Sequence, residues 1–228
     1  MTTMKPTVLL FDIDGTLMDS GGAGRRSVER AFERRHGRHD ACAAVSFGGM
    51  TDRAIARAGL LAIGAPVTDE AMDEVLAAYL VALAEELVAS RAIVHPGVHA
   101  ALDAAVAAGA AVGLGTGNVR DGARLKLSRV GLDHRFAFGG FGSDHETRSE
   151  LLRVGAERGA LALGTPLSAC RVVVIGDTPK DIAAAQAIGA ECFAVATGSF
   201  SVTALAACGP TRVLRDLEED GALAALLG

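Results

Sequence analysis

The segment VLLFDIDGTLMDS, residues 8–20, carries two carboxylates, Asp12 and Asp14, directly behind an apolar run with the character of a buried strand. Two further segments have the same form. VGLGTGN ends in Thr116, Gly117 and Asn118, and VVVIGDTPKD supplies Asp177 and Asp181. An aspartate after a strand is often no more than a turn or helix-capping residue. Three such clusters, ordered carboxylate pair, hydroxyl, carboxylate pair, point instead to one pocket. Carboxylates gathered there repel one another and are costly to desolvate, so a positive group must neutralise them. A hard divalent cation, Mg²⁺ above all, suits an all-oxygen site with few carboxylates. Gly15, Thr16, Gly117 and the amides around Asn118 have the residue types that receive phosphate oxygens on backbone N–H groups.

Such a pocket needs neighbouring parallel strands, because ligands of open α/β sheets collect outside the carboxyl ends of the strands. The sequence predicts strands at Thr7–Phe11, Ala110–Leu114, Phe136–Phe138, Val172–Ile175, Cys192–Ala196 and, weakly, Arg212–Leu214. Helical stretches separate them, which gives an α/β fold: a Rossmann-like parallel sheet with helices on both faces. The interval between the first two strands is far longer than one crossover helix requires. It predicts at least three helices, near Gly24–His36, Asp52–Ala62 and Asp69–Arg91, the last with Met72, Val75, Leu76, Tyr79, Leu80 and Leu83 at helical spacing. These form an inserted α-helical domain over residues 19–95, and residues 1–18 and 96–228 form the core. Gly21, Gly22 and Gly24 mark the exit from the core, and His95-Pro96-Gly97 marks the return.

Composition narrows the partners. The chain of 228 residues is 50% hydrophobic, with a net charge of -5. That balance gives no general attraction to nucleic acid or a membrane surface and leaves small molecules or protein partners. Cys42, Cys170, Cys192 and Cys208 include no CxxC pair, so neither a zinc site nor a disulfide framework is expected. The first apolar stretch is broken at Asp12, too early for a signal-peptide core, and no apolar run is long enough to span a bilayer. The chain reads as cytoplasmic. GLGTGN is not GxGxxG and no GxxxxGK[ST] occurs, which disfavours dinucleotide and P-loop sites.

DIDGTLMDS, GTGN and VIGDTPKDI together resemble the first, second and fourth motifs of the haloacid dehalogenase-like hydrolase superfamily, especially its phosphoglycolate-phosphatase-like members with a helical cap. The resemblance implies that Asp12 is a nucleophile forming an aspartyl-phosphate, and that Asp14 protonates the leaving oxygen and then activates water. It implies Mg²⁺ bound by Asp12, Asp177 and the backbone carbonyl of Asp14, with Thr116 on a phosphate oxygen and Asp181 behind the metal or a basic residue. The expected activity is hydrolysis of a small soluble phosphate monoester by a monomer or homodimer. The alternatives are a phosphomutase, or a pseudoenzyme that only binds phosphate or a partner.

One departure is specific. The family's third motif is a lysine, and here the lysines are Lys5, Lys126 and Lys180, none of them at the usual place. Arg148 stands there instead, offering a permanent charge and a bidentate fork; if it does not serve, Lys126 must reach in. Asp14 argues against dehalogenation, which needs no acid, and the absence of lysine between Lys5 and Lys126 argues against a cap Schiff base. Among cap residues, Arg25 and Thr51 are the substrate-contact candidates. Arg25 begins a basic stretch through Arg38, for which a solvated helix face is the favoured reading. Thr51 lies in GGMTDRAI with Gly49 and Arg53, and the plain alternative there is a helix N-cap at Thr51 or Asp52. His95 and His99 read as hinge and helix surface.

Overall fold

A computed structural model describes residues 5–228. Six strands form one parallel sheet: β1 (Thr7–Phe11), β4 (Ala111–Thr116), β5 (Gly139–Phe141), β6 (Arg171–Gly176), β7 (Glu191–Val195) and β8 (Arg212–Leu214), in the order β5-β4-β1-β6-β7-β8. β1 is central and fully buried, as its unbroken apolar run demands when helices cover both faces. Leu9 and Phe11 face one side with α4 (Val98–Ala107), α5 (Arg120–Arg129) and α9 (Ala222–Leu227). Val8 and Leu10 face the other with α6 (Arg148–Ala162), α7 (Pro179–Ala187) and α8 (Val202–Ala206). Each of these four buried side chains contributes about 1.5–3 kcal/mol.

The register pairs Phe11 with Leu114 on one side and with Ile175 on the other. Asp12, Thr116 and Asp177 therefore leave three adjacent strands at nearly one level.

β5 lies after the predicted Phe136–Phe138, at Gly139–Phe141. Gly140 in this strand lets a helix approach it closely. A methyl on Gly140 would come within 1.7 Å of the Leu151 carbonyl of α6.

A short antiparallel pair, β2 (Met18–Asp19) with β3 (Ile93–Val94), forms the neck at which the chain leaves and re-enters the core. Between them run α1 (Ala23–His36), α2 (Asp52–Ala62) and α3 (Asp69–Ala89). Thr51 and Thr68 cap α2 and α3 by accepting from the amides of Ala54 and Ala71. The three helices enclose a cluster of their own, with Phe32, Leu60, Met72, Tyr79 and Leu83 at its centre. The arginines of α1 face α3: Arg26 and Arg30 meet Glu86, Arg30 and Arg34 meet Glu85, and Arg35 meets Glu74. Most of the basic stretch is thus a ladder between two helices. Among the described residues no helix is long and apolar enough to cross a membrane.

Candidate active site

A cavity of about 500 Å³ lies between the carboxyl ends of the strands and the three inserted helices. Asp12, Asp14 and Gly15 line it from the first segment, Gly117 and Asn118 from the second, Asp177 and Thr178 from the third. Arg148 and Lys126 also line it, as do Arg25, Asp52 and Tyr79 from the inserted helices.

Arg148 is the first residue of α6 and is buried. Its Nη2 lies 2.7 Å from Asp12 Oδ2 and 2.5 Å from Asp181 Oδ1, and its Nε donates to Asp181 Oδ1 at 2.7 Å. Nη2 nevertheless makes no hydrogen bond of good geometry. Two carboxylate oxygens flank Nη2, so Arg148 compensates the charge of Asp12 and Asp181 at the cavity wall. Asp181 itself is fully buried, accepting from the Thr178 amide and hydroxyl in a capping box that starts α7. It positions Arg148.

Asp12, Asp177 and Asp181 place carboxylate oxygens within 4.8 Å of one another. Burial, with repulsion from Asp181 and then Asp14, pushes the Asp12 carboxyl up to about 6 against the pull of Arg148. Asp177 is pushed up to about 8 by burial, then by Asp181 and Asp12. That unmet negative charge, the all-oxygen donor set and the room around Asp177 fit a hard divalent cation. The room is kept by glycine: a methyl on Gly15 would come within 2.4 Å of Asp177 Oδ2, and one on Gly198 within 1.8 Å.

Asp14 points away from this cluster. Its Oδ2 accepts from Lys126 Nζ at 2.6 Å and from Asn118 Nδ2 at 2.9 Å. Burial pushes its carboxyl up, but the charge and hydrogen bond of Lys126, with the Asn118 amide, outweigh that and hold it below the ordinary value. Lys126 Nζ also donates to Asn118 Oδ1 at 2.7 Å. Asp52, at the start of α2, accepts from the Val119 amide at 2.8 Å, and its own amide donates to the Gly117 carbonyl at 2.8 Å. The start of α2 thereby caps α5, whose N-cap residue, Val119, has no side-chain acceptor to offer. Burial pushes Asp52 up to about 6, with Lys126 and the Val119 amide pulling against it.

Several sequence expectations need correction. The Gly15 and Thr16 amides donate to the carbonyls of Met18 and Ile13, so the turn consumes them instead of a phosphate. Thr16 offers its hydroxyl to Asp177 Oδ1 at 3.4 Å. Thr51 does not contact the cavity; its hydroxyl caps α2 and donates to the Glu146 carbonyl at 3.0 Å. Arg53 is committed to Asp69 and Asp73. Arg25 does line the cavity, but its guanidinium stacks 4.0 Å over Phe47 and donates to the Val45 carbonyl at 2.8 Å. Thr116 is buried and accepts from Asn118 Nδ2 at 2.9 Å.

Lys126 was anticipated only as a stand-in for Arg148, and Asp52 and the Thr197-Gly198-Ser199 loop were not anticipated as parts of the site. A signal existed for two of them. Lys126 shares a helix face with Ala123 and Leu127, an odd place for an ammonium, and Thr197-Gly198 follows a strand as Thr116-Gly117 does.

Solved structures with this architecture cover nearly the whole chain. A hydrolase from Pseudomonas syringae is 23% identical, with a TM-score of 0.67 and coverage of 92% of this chain and 94% of that one. A predicted phosphoglycolate phosphatase from Haemophilus somnus 129pt is 17% identical, with a TM-score of 0.68 and coverage of 94% and 96%. CbbY from Rhodobacter sphaeroides, solved in complex with phosphate, is 17% identical, with a TM-score of 0.71 and coverage of 97% and 99%. At such identities they establish the fold alone. A search of curated proteins returned no match. The sequence itself matches a hydrolase family over residues 6–189, a span holding Asp12, Thr116, Arg148 and Asp177 alike, and so the chain belongs to the haloacid dehalogenase-like hydrolases.

Proposed function

We propose that this hydrolase is a Mg²⁺-dependent phosphatase of small soluble phosphate monoesters, acting through an aspartyl-phosphate on Asp12. The observation that carries the reading is Asp12 flanked by Asp177 and Asp181 on the cavity wall, with Arg148 bridging it to Asp181. Asp12 and Asp177 would hold Mg²⁺ with the Asp14 carbonyl; the ion would offset charge between carboxylate and phosphate and orient the ester.

The chain's own residues supply the rest. Arg148 binds phosphate oxygens through a planar fork and holds the ester against Asp12. Asp12 attacks phosphorus, and water attacks the resulting acyl phosphate, which splits one difficult displacement into two. Asp14, held at the cavity wall by Lys126 and Asn118, would protonate the leaving oxygen and then activate the water. The helices of residues 19–95 act as a cap that excludes bulk water and shapes the leaving-group compartment.

Phosphate release from a panel of sugar phosphates, phosphoglycolate, nucleotides and 4-nitrophenyl phosphate, with Mg²⁺ or with EDTA, tests the reading. Metal-dependent release without a bisphosphate activator supports a phosphatase. Turnover only with such an activator would make the chain a mutase, and binding without turnover would make it a pseudoenzyme.

A further inference from the structure

The inserted helices bring two polar groups to the cavity that the phosphoryl chemistry leaves unused. Tyr79 of α3 is 2% exposed and lines the cavity, yet its hydroxyl makes no hydrogen bond with any described residue. Nor is that oxygen sealed inside the protein, so the surface left to it opens onto the cavity. A hydroxyl buried to this degree is normally paired. Burial, and then the charges of Asp52 and Asp14, hold the phenol well above its ordinary pKa, so it stays a donor. Asp52 of α2 uses Oδ2 for the Val119 amide, while its Oδ1 accepts from no described residue. Lys126, the cation that acts on Asp52, is bonded to Asp14 and Asn118. The other cations on the wall are engaged as well, Arg148 by Asp12 and Asp181, and Arg25 by the Val45 carbonyl and the Phe47 ring. The inserted side of the cavity thus offers one hydroxyl and one carboxylate oxygen, and every cation lining it among the described residues already has a partner.

We propose, resting on the phosphatase reading, that Tyr79 and Asp52 determine specificity for the leaving group, and that they select an uncharged, hydroxylated one. With the phosphoryl group held at Asp12, the alcohol extends towards the inserted helices, where one of its hydroxyls donates to Asp52 Oδ1 and accepts from the Tyr79 hydroxyl. A hydroxyl both donates and accepts, so it satisfies the pair at once. A carboxylate in its place only accepts: it could take the Tyr79 proton, but it would face the Asp52 charge in a buried site with no free cation to offset the repulsion. A methyl group would leave both polar groups unpaired. The preferred ester is therefore the monophosphate of a small polyol, and esters with a second anionic group, phosphoglycolate and bisphosphates among them, are disfavoured.

Three esters with one carbon skeleton test this: sn-glycerol 3-phosphate, 3-phosphoglycerate, in which a carboxylate replaces the terminal hydroxymethyl group, and n-propyl phosphate, which has no hydroxyl. The readout is kcat/KM with Mg²⁺ for wild type, Tyr79→Phe and Asp52→Asn. Wild type is expected to prefer glycerol phosphate to each of the others by at least about tenfold. Tyr79→Phe removes a hydroxyl that holds no part of the protein, and should slow glycerol phosphate about 3–10-fold more than propyl phosphate. Asp52→Asn keeps an oxygen for the Val119 amide, and should narrow the gap between glycerol phosphate and 3-phosphoglycerate at least about fivefold. Equal losses on glycerol and propyl phosphates in Tyr79→Phe would overturn the proposal and make Tyr79 a packing residue; an unchanged gap in Asp52→Asn would overturn the pair. Should a variant fail to fold, wild type alone decides: cleavage of 3-phosphoglycerate or propyl phosphate as fast as glycerol phosphate overturns the proposal, and the stated preference supports it. No release from any ester by wild type would overturn the phosphatase reading and this proposal together, whereas release without discrimination would overturn this proposal only.

Discussion

Arg148 Nη2 lies 2.7 Å from Asp12 Oδ2, an ion pair between the first turn of α6 and the end of the central strand, with both side chains almost wholly buried. Removing one partner of such a pair strands the other. Arg148→Ala leaves Asp12, Asp177 and Asp181 uncompensated and is expected to cost about 3–5 kcal/mol of stability without metal. Chemical denaturation in EDTA measures this, and Mg²⁺ should restore part of the loss. Turnover should fall at least about 10²-fold. Arg148→Lys keeps the charge but lacks the fork that spans Asp12 and Asp181, and is expected to fall between wild type and Arg148→Ala. A variant as stable and active as wild type would show that this pair matters little.

Cation binding at the carboxylate cluster should depend on pH. Asp12 and Asp177 stand near 6 and 8 without metal, so protons compete with the cation below those values. Affinity for Mg²⁺ is expected to rise by at least about tenfold between pH 6 and pH 8 and to level off above. Calorimetric titration at the two pH values checks this; equal affinities would mean that the carboxylates are already ionised at pH 6.

Asp52, raised like Asp12 and Asp177, costs stability as the pH rises. Its folded-state value near 6 lies above the ordinary 3.8, so the folded chain binds the proton more tightly than the unfolded chain. Stability from this group is therefore full below about pH 4, declines between 4 and 6, and is lowest above 6, by about 3 kcal/mol in all. Asp52→Asn keeps an oxygen for the Val119 amide and removes the charge. It should gain on wild type as the pH rises from 4 to 7 in thermal melts. An Asn variant that is less stable at pH 7 than wild type, by the same margin as at pH 4, would contradict the assignment.

Glycine at 198 guards the cation site. A methyl there would overlap Asp177 Oδ2, so Gly198→Ala must shift either the carboxylate or the loop. The Mg²⁺ concentration giving half-maximal activity is expected to rise about 10–100-fold, as for residues supporting metal ligands. Unchanged metal dependence would show that the loop yields freely.

What the sequence made legible were features set by short-range pattern. Apolar runs located the central strands, and the polar residues that end them located the carboxylates, because a parallel sheet brings neighbouring strand ends together whatever lies between them. The Arg148 position could be singled out because few residues near Asp177 could stand in for a lysine. Lys126 was read only as a stand-in for Arg148, because its contact with Asp14 depends on how α5 packs against the first loop, which no local spacing encodes. Thr51 and Arg25 misled for a related reason: residue type gave them affinity for phosphate, while the α2 cap and Glu146 engage Thr51, and Phe47 and the Val45 carbonyl engage Arg25. The Gly15 and Thr16 amides were spent in a turn whose closure the sequence did not show.

The most direct test of the account is phosphate release by wild type and Asp12→Asn, each with Mg²⁺ and with EDTA, alongside a thermal melt. The account predicts metal-dependent release by wild type and loss of at least about 10⁴-fold in the variant, with a cooperative melt preserved. Turnover near the wild-type level in Asp12→Asn would contradict it, because no aspartyl-phosphate could then lie on the path.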